Sequence, residues 1–232
     1  MMGPALPDAI LWDLDGTLVD TEPQWMAAES RLVERFGASW TLEDGAALVG
    51  RDLLTSGRYL RDRIGRALTP EAIVEELLDD MVVAVTSGVD FRPGAQQLLD
   101  DVRARGVPCG LVTMSWRRLV EPILAQLPAA SFEAVITGDE VIRGKPHPEA
   151  YLDAASQLGV RPEQSIAIED SVAGATSAQA AGCRVVVVPN RVSVPPDPGW
   201  VIVSTLVGVD LSGLVAAATG TAGRCTANIR GR

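Results

Sequence analysis

Residues 9–20 read AILWDLDGTLVD, an apolar run that ends in two carboxylates, Asp13 and Asp15, with one leucine between them. Ending a buried run in two negative charges is costly, so the pair points to chemistry. An aspartate can act as a nucleophile toward phosphorus. It takes up the phosphoryl group as an aspartyl-phosphate and splits a hard hydrolysis into two easier steps. One anion attacking another needs a cation between them. Hard oxygen ligands from Asp13, Asp170 and the backbone carbonyl of Asp15 suit Mg²⁺, which keeps waters and binds substrate phosphate. Asp15, two residues beyond the nucleophile, is placed to protonate the leaving oxygen and later to activate water. Gly16 lets the backbone approach an anion closely.

Three later segments supply matching groups. Thr113 in GLVTMS offers a hydroxyl donor to a phosphate oxygen. Lys145 in RGKPHPEAY offers a point charge for another. IAIEDS places Glu169 and Asp170 together at the end of a further apolar run.

The spacing of these residues requires elements that bring them together. Residues 8–13 read as a buried strand and 22–37 as a helix stopped by Gly37. Helical character continues through 43–66 and 70–85. From 91 onward, helical and strand patterns alternate: a helix over 91–106, a strand over 107–114, a helix over 117–127 and a strand over 132–138. A helix over 148–159, a strand over 165–170, a helix over 171–182 and a strand over 183–189 follow. Apolar strands alternating with helices predict an α/β fold, a Rossmann-like parallel sheet covered on both faces. The four site segments then fall at carboxyl ends of strands, where open α/β sheets bind ligands. The expected organisation is a catalytic core over 1–20 and 89–232, interrupted by a helical cap over 21–88, with 219–232 a disordered tail.

Composition narrows the function. The net charge of −10 disfavours nucleic acid and anionic lipid as partners, and phosphate must be bound by local positive charge or a cation. Cys109, Cys183 and Cys225 show no metal-ligand spacing and read as small buried residues of a reducing compartment. The N-terminal MMGPALPD lacks the basic start and apolar stretch of a secretory signal, and no run approaches the roughly 18 apolar residues of a membrane span. The expectation is a cytoplasmic monomer acting on a small phosphorylated metabolite.

DLDGT followed in order by Thr113, Lys145 and the Glu169–Asp170 pair resembles the haloacid dehalogenase-like hydrolase superfamily over nearly the whole chain. DLDGTLVDTEP before a helical insertion is similar to the type-1 cap subgroup, which includes β-phosphoglucomutase and 2-deoxyglucose-6-phosphate phosphatase. The resemblance implies Asp13 as nucleophile, Asp15 as acid and base, Thr113 and Lys145 as phosphate ligands, and Asp170 as a metal ligand. Glu169 is then either a metal ligand itself or a support just behind one.

The same subgroup includes mutases. Trp25 stands where the mutase has a histidine, and Leu53 where it has a cap arginine, which favours a phosphatase. Residues 21–88 hold no lysine for a Schiff base, which argues against a phosphonatase, and Asp15 argues against a dehalogenase. A non-catalytic binding module on the same fold is the reading from another class, and it has no need of Asp15. Within the cap, Trp25 reads as core or as lining of the site. Arg51 reads as a substrate contact or a solvated charge. His147, the single histidine, reads as a loop residue rather than a catalyst.

Overall fold

The computed structural model describes residues 6–220. The short apolar runs form six strands: β1 (Ile10–Trp12), β2 (Cys109–Val112), β3 (Ala134–Ile136), β4 (Ile166–Glu169), β5 (Arg184–Val187) and β6 (Trp200–Ile202). They pair into one parallel sheet of order β3-β2-β1-β4-β5-β6. β1 is central, with Trp12 opposite Leu111 on one side and Ile168 on the other.

Side chains alternate across the pleat, and the two faces build separate cores. Ile10, Trp12, Leu111 and Ile168 join the cluster that includes helices α5 (Ala95–Ala104), α6 (Arg117–Leu124) and α9 (Leu211–Ala218). Leu11, Val112, Ala167 and Val185 join the cluster with α7 (Glu149–Leu158) and α8 (Val172–Ala180). Both faces are therefore apolar, as the uninterrupted strand sequences predict.

Between β1 and α5 lie four helices, α1 (Glu22–Arg35), α2 (Leu42–Ala46), α3 (Leu53–Arg63) and α4 (Pro70–Thr86). The expected continuous helix over 43–66 is in fact two. Gly50 adopts φ +74°, and Asp52 caps the new helix by accepting from the Thr55 amide at 2.8 Å. Thr41 and Asp44 form a reciprocal capping box at the start of α2, and Thr69 caps α4. The chain enters and leaves the insertion through paired backbone: Asp20 N–H donates to Asp90 O at 2.8 Å, and Arg92 N–H to Leu18 O at 2.9 Å. Arg118 of α6 pairs with Glu75 and Asp79 of α4.

The observed strands are shorter than the apolar runs, because pairing stops where the chain turns toward the pocket. Residues 190–218 carry no element in the sequence reading, yet β6 and α9 extend the sheet edge and cover one face. β6 is only partly buried, so its alternation is weak. Residues 1–5 and 221–232 lie outside the described residues, and so do Cys225 and most of the expected tail. Among the described residues, no helix is long and apolar enough to cross a membrane.

One apolar cluster runs from the sheet through the insertion, joining Trp12 and Leu98 to Leu60, Leu77 and Met81. The insertion and the sheet should therefore unfold together. In urea, tryptophan fluorescence and far-UV circular dichroism are expected to give coincident transitions. Two resolved transitions would show that the insertion unfolds independently.

Candidate active site

β1 lies where the strand order reverses, with later strands added on both sides, and this switch point opens a crevice at the strand ends. Asp13 follows β1, Thr113 to Ser115 follow β2, Lys145 lies in the loop after β3, and Asp170 follows β4. The structure brings all of them to one pocket, with Asp15 beside them.

Lys145 lies at the bottom, 5% exposed. Its ammonium donates to Asp13 Oδ1 at 2.7 Å, Val112 O at 2.9 Å and Glu169 Oε1 at 2.6 Å. A lysine has three N–H donors, and all three are used. Burial alone would lower the affinity of this amine for its proton, but the charges of Asp13 and Glu169 outweigh it and hold it above the ordinary value. Tyr151 supports the arrangement from α7: its hydroxyl donates to Glu169 Oε1 at 2.7 Å, and its ring lies 5.3 Å from the ammonium. Glu169 is fully buried. Its second oxygen accepts from the Asp170 amide and the Ser171 hydroxyl, each at 3.3 Å. A side chain on Gly174 would overlap this carboxylate, so α8 can begin this close only with glycine there.

Asp13, Glu169 and Asp170 have oxygens within 4.8 Å of one another. Three carboxylates face one ammonium. Asp13 Oδ2 is buried with no hydrogen-bond partner, and the Asp170 carboxylate accepts none among the described residues. Burial, then Glu169, pushes Asp13 up to about 7, against the pull of Lys145. Burial and the charge of Asp13 likewise raise Asp170 well above the carboxylate range. A compact set of unpaired carboxylate oxygens with excess negative charge fits a hard divalent cation. Gly16, expected beside the phosphate, does not line the pocket; at φ +84° it lies behind the Asp170 carboxylate, which a Cβ there would overlap.

Asp15 is arranged differently. Its Oδ1 accepts from Thr21 Oγ1 at 2.5 Å and Trp25 Nε1 at 3.4 Å, and its Oδ2 from Ser115 Oγ at 2.7 Å and Thr113 Oγ1 at 3.2 Å. Thr113, expected to face phosphate, here donates to Asp15 and receives the Ser115 amide at 3.0 Å. Trp25, left open between core and lining, does line the pocket and ties the insertion to Asp15. Arg51 lines the pocket too, as an exposed residue. His147 does not line it, and its Nδ1 accepts from the Glu149 amide at 3.2 Å.

The sequence reading missed Ser115, Tyr151, Thr21 and two buried carboxylates of α1, Glu22 and Glu29, that line the pocket. Ser115 could have been found from its place two residues after Thr113. Tyr151 gives no signal, since a tyrosine on an apolar helix face reads as core.

Comparison with known proteins agrees with this geometry. The family model described as haloacid dehalogenase-like hydrolase matches residues 10–188. Hexitol phosphatase A of Escherichia coli (strain K12) is 34% identical over 187 residues, covering 77% of this chain and 81% of that protein. Validoxylamine A 7'-phosphate phosphatase of Streptomyces hygroscopicus subsp. limoneus is 37% identical over 177 residues, covering 74% and 81% respectively. The crystal structure of CbbY from Rhodobacter sphaeroides in complex with phosphate superposes with a TM-score of 0.79 at 26% identity, covering 90% of this chain and all of that one. With its strand-end carboxylates and lysine in this order on this sheet, the chain belongs to the haloacid dehalogenase-like hydrolase family, on the phosphatase branch of it.

Proposed function

We propose that the protein is a Mg²⁺-dependent phosphomonoester hydrolase acting on a small sugar or polyol phosphate through an aspartyl-phosphate at Asp13. The observation that carries the reading is the convergence of Asp13, Lys145 and Asp170 in one buried cluster, with Asp15 held apart by four donors. The names of the relatives, a hexitol phosphatase among them, support a polyol phosphate as substrate.

Asp13 attacks phosphorus, the bond to the leaving oxygen breaks, and Asp15 supplies the proton that the departing alkoxide takes. Water then attacks the phosphoryl group on Asp13 and gives its proton to Asp15. Inorganic phosphate leaves, and both aspartates are restored. Lys145 orients Asp13 and sets its positive charge beside the incoming phosphate, and the Thr113 hydroxyl would turn from Asp15 to a phosphate oxygen when substrate binds. Asp13, Asp170 and the Asp15 carbonyl would hold Mg²⁺, with Glu169 placed behind them to fix Lys145. The bound cation supplies charge neutralisation for the attack of a carboxylate on a phosphate dianion.

Residues 21–88 are read as a cap that closes over the core of 1–20 and 89–232, excludes water during transfer and opens for product. The backbone pairs Asp20–Asp90 and Leu18–Arg92 mark where it hinges. A mutase would return the phosphoryl group to a sugar. No histidine lines the pocket among the described residues, and Trp25 occupies the expected place, which favours water as the acceptor.

With Mg²⁺ and a panel of phosphorylated metabolites, phosphate release is expected from one or a few polyol or sugar phosphates. Asp13→Asn should lower it by roughly 10³-fold or more. Normal release by that variant would remove Asp13 from the mechanism.

The crowded carboxylates predict a second behaviour. Without divalent cations, Asp170→Asn should raise the melting temperature by a few degrees, roughly 1 kcal/mol, because it removes a buried carboxyl crowded by Asp13 and Glu169. With Mg²⁺ in the millimolar range the order should invert, since wild type gains stability from binding and the variant gains little. Calorimetry of both proteins with and without Mg²⁺ checks this. Equal stabilisation of the two by Mg²⁺ would place the cation elsewhere.

A further inference from the structure

Two acidic side chains of the insertion enter the pocket without a role in phosphoryl transfer. Glu22 and Glu29 lie seven residues apart on α1, two turns along one face. They line the same pocket as Asp13, Thr113 and Lys145, and are 8% and 5% exposed. The Glu22 carboxylate accepts no hydrogen bond from any described residue. Arg191, which lines a neighbouring pocket with Glu22, pairs with Asp20 at 3.4 Å. Around the two carboxylates the lining is apolar or small, with Trp25, Leu48, Val49, Leu53 and Gly45. The basic side chains of the lining are Lys145, already committed to three acceptors, and Arg51, exposed.

Such a roof has a definite chemical preference. An ionised or a protonated carboxyl can accept a hydrogen bond from a hydroxyl, and a buried one without a partner gains most from it. An anionic group at the same place would be repelled and would strip both partners of water. Burial pushes Glu22 up to about 7, with Asp15 and Asp20 adding to the rise and Arg191 only partly opposing it. Glu29 is pushed to about 8 by burial and then by Glu22, and the Trp40 indole only partly opposes it. Both carboxyls thus resist ionisation, and the place they line resists further negative charge.

We propose that Glu22 and Glu29 read the organic half of the substrate, selecting a phosphomonoester whose leaving group is an uncharged polyol over one bearing a second anionic group. This rests on the phosphatase reading above and adds the residues that set its specificity. A hydroxyl-rich leaving group satisfies both carboxyls when the insertion lies over the core. A bisphosphate or a phosphorylated acid brings a second anion into an apolar and acidic lining where Glu22 and Glu29 offer it no positive charge. Arg51 then serves the approach of the phosphate dianion rather than a distal anchor.

The test compares kcat/KM for a hexitol 6-phosphate, the matching hexitol 1,6-bisphosphate and p-nitrophenyl phosphate, with Mg²⁺. Wild type is expected to prefer the monophosphate over the bisphosphate by about tenfold or more. Glu22→Gln and Glu29→Gln, which remove charge but keep an acceptor, should narrow that gap. Glu22→Leu and Glu29→Leu, which remove the acceptor, should lower the ratio of hexitol phosphate to p-nitrophenyl phosphate turnover by roughly tenfold. Because each readout is a ratio within one protein, partial loss of folding does not mimic it. Equal use of monophosphate and bisphosphate by wild type, or an unmoved ratio in the leucine variants, overturns the assignment. No release by wild type from any of the three substrates overturns the phosphatase reading itself.

Discussion

At the bottom of the pocket one ammonium ion with three protons meets three acceptors, each from a different strand end. Asp13 follows β1, Val112 O closes β2 and Glu169 closes β4, while Lys145 itself comes from the loop after β3. Four strand ends are thus fixed by a single charge. It is the only lysine in the sequence, and every other strongly basic residue is arginine. A compact ammonium on a flexible stem fits a fully enclosed three-way junction, whereas a planar guanidinium needs more room and a bidentate partner. Removing the charge would leave buried carboxylates unpaired, a loss of about 3–5 kcal/mol.

The same junction explains why two aspartates two residues apart can do different work. Asp13 lies among carboxylates and keeps one oxygen unbonded, so it is both crowded and available. Asp15 accepts four hydrogen bonds, two from the entrance to the insertion and two from the loop after β2. The two environments differ, and a cation on Asp13 would offset the crowding that favours its protonated form, as the proposed nucleophile requires. An excess of buried negative charge would be a defect in a static protein. In the proposed mechanism it makes a place for a cation and then for a phosphate.

The insertion is coupled to this chemistry by position. α1 starts at Glu22, just beyond the backbone pair that joins Asp20 to Asp90. Its first turns carry Trp25 to Asp15 and set Glu22 and Glu29 over the cleft. Any movement of α1 relative to the sheet must change the hydrogen bonds of Asp15. In the proposed reading, the helix that recognises substrate also holds the acid–base residue Asp15 through Trp25. The apolar cluster that continues from sheet to insertion keeps that helix in register with the strand ends.

Much of the fold was legible in the sequence, because strand and helix patterns are local. Apolar runs of three or four residues and helical periodicity follow from backbone geometry and burial. The acidic strand ends, Lys145 and their order pointed to phosphoryl chemistry for the same reason: each is an unusual residue in a local context. Gly50 and Asp52, which split the expected long helix, acted through a positive φ and a cap that periodicity does not register. What tertiary structure alone decided is which groups meet. Lys145 and Asp13 are 132 residues apart and touch only because the sheet order places β1 between β2 and β4. Tyr151 and Glu29 read as ordinary helix residues, and Glu22, although within DLDGTLVDTEP, has no role of its own legible there. Their roles come from what the fold sets opposite them, and that depends on long-range packing that one-dimensional spacing does not encode.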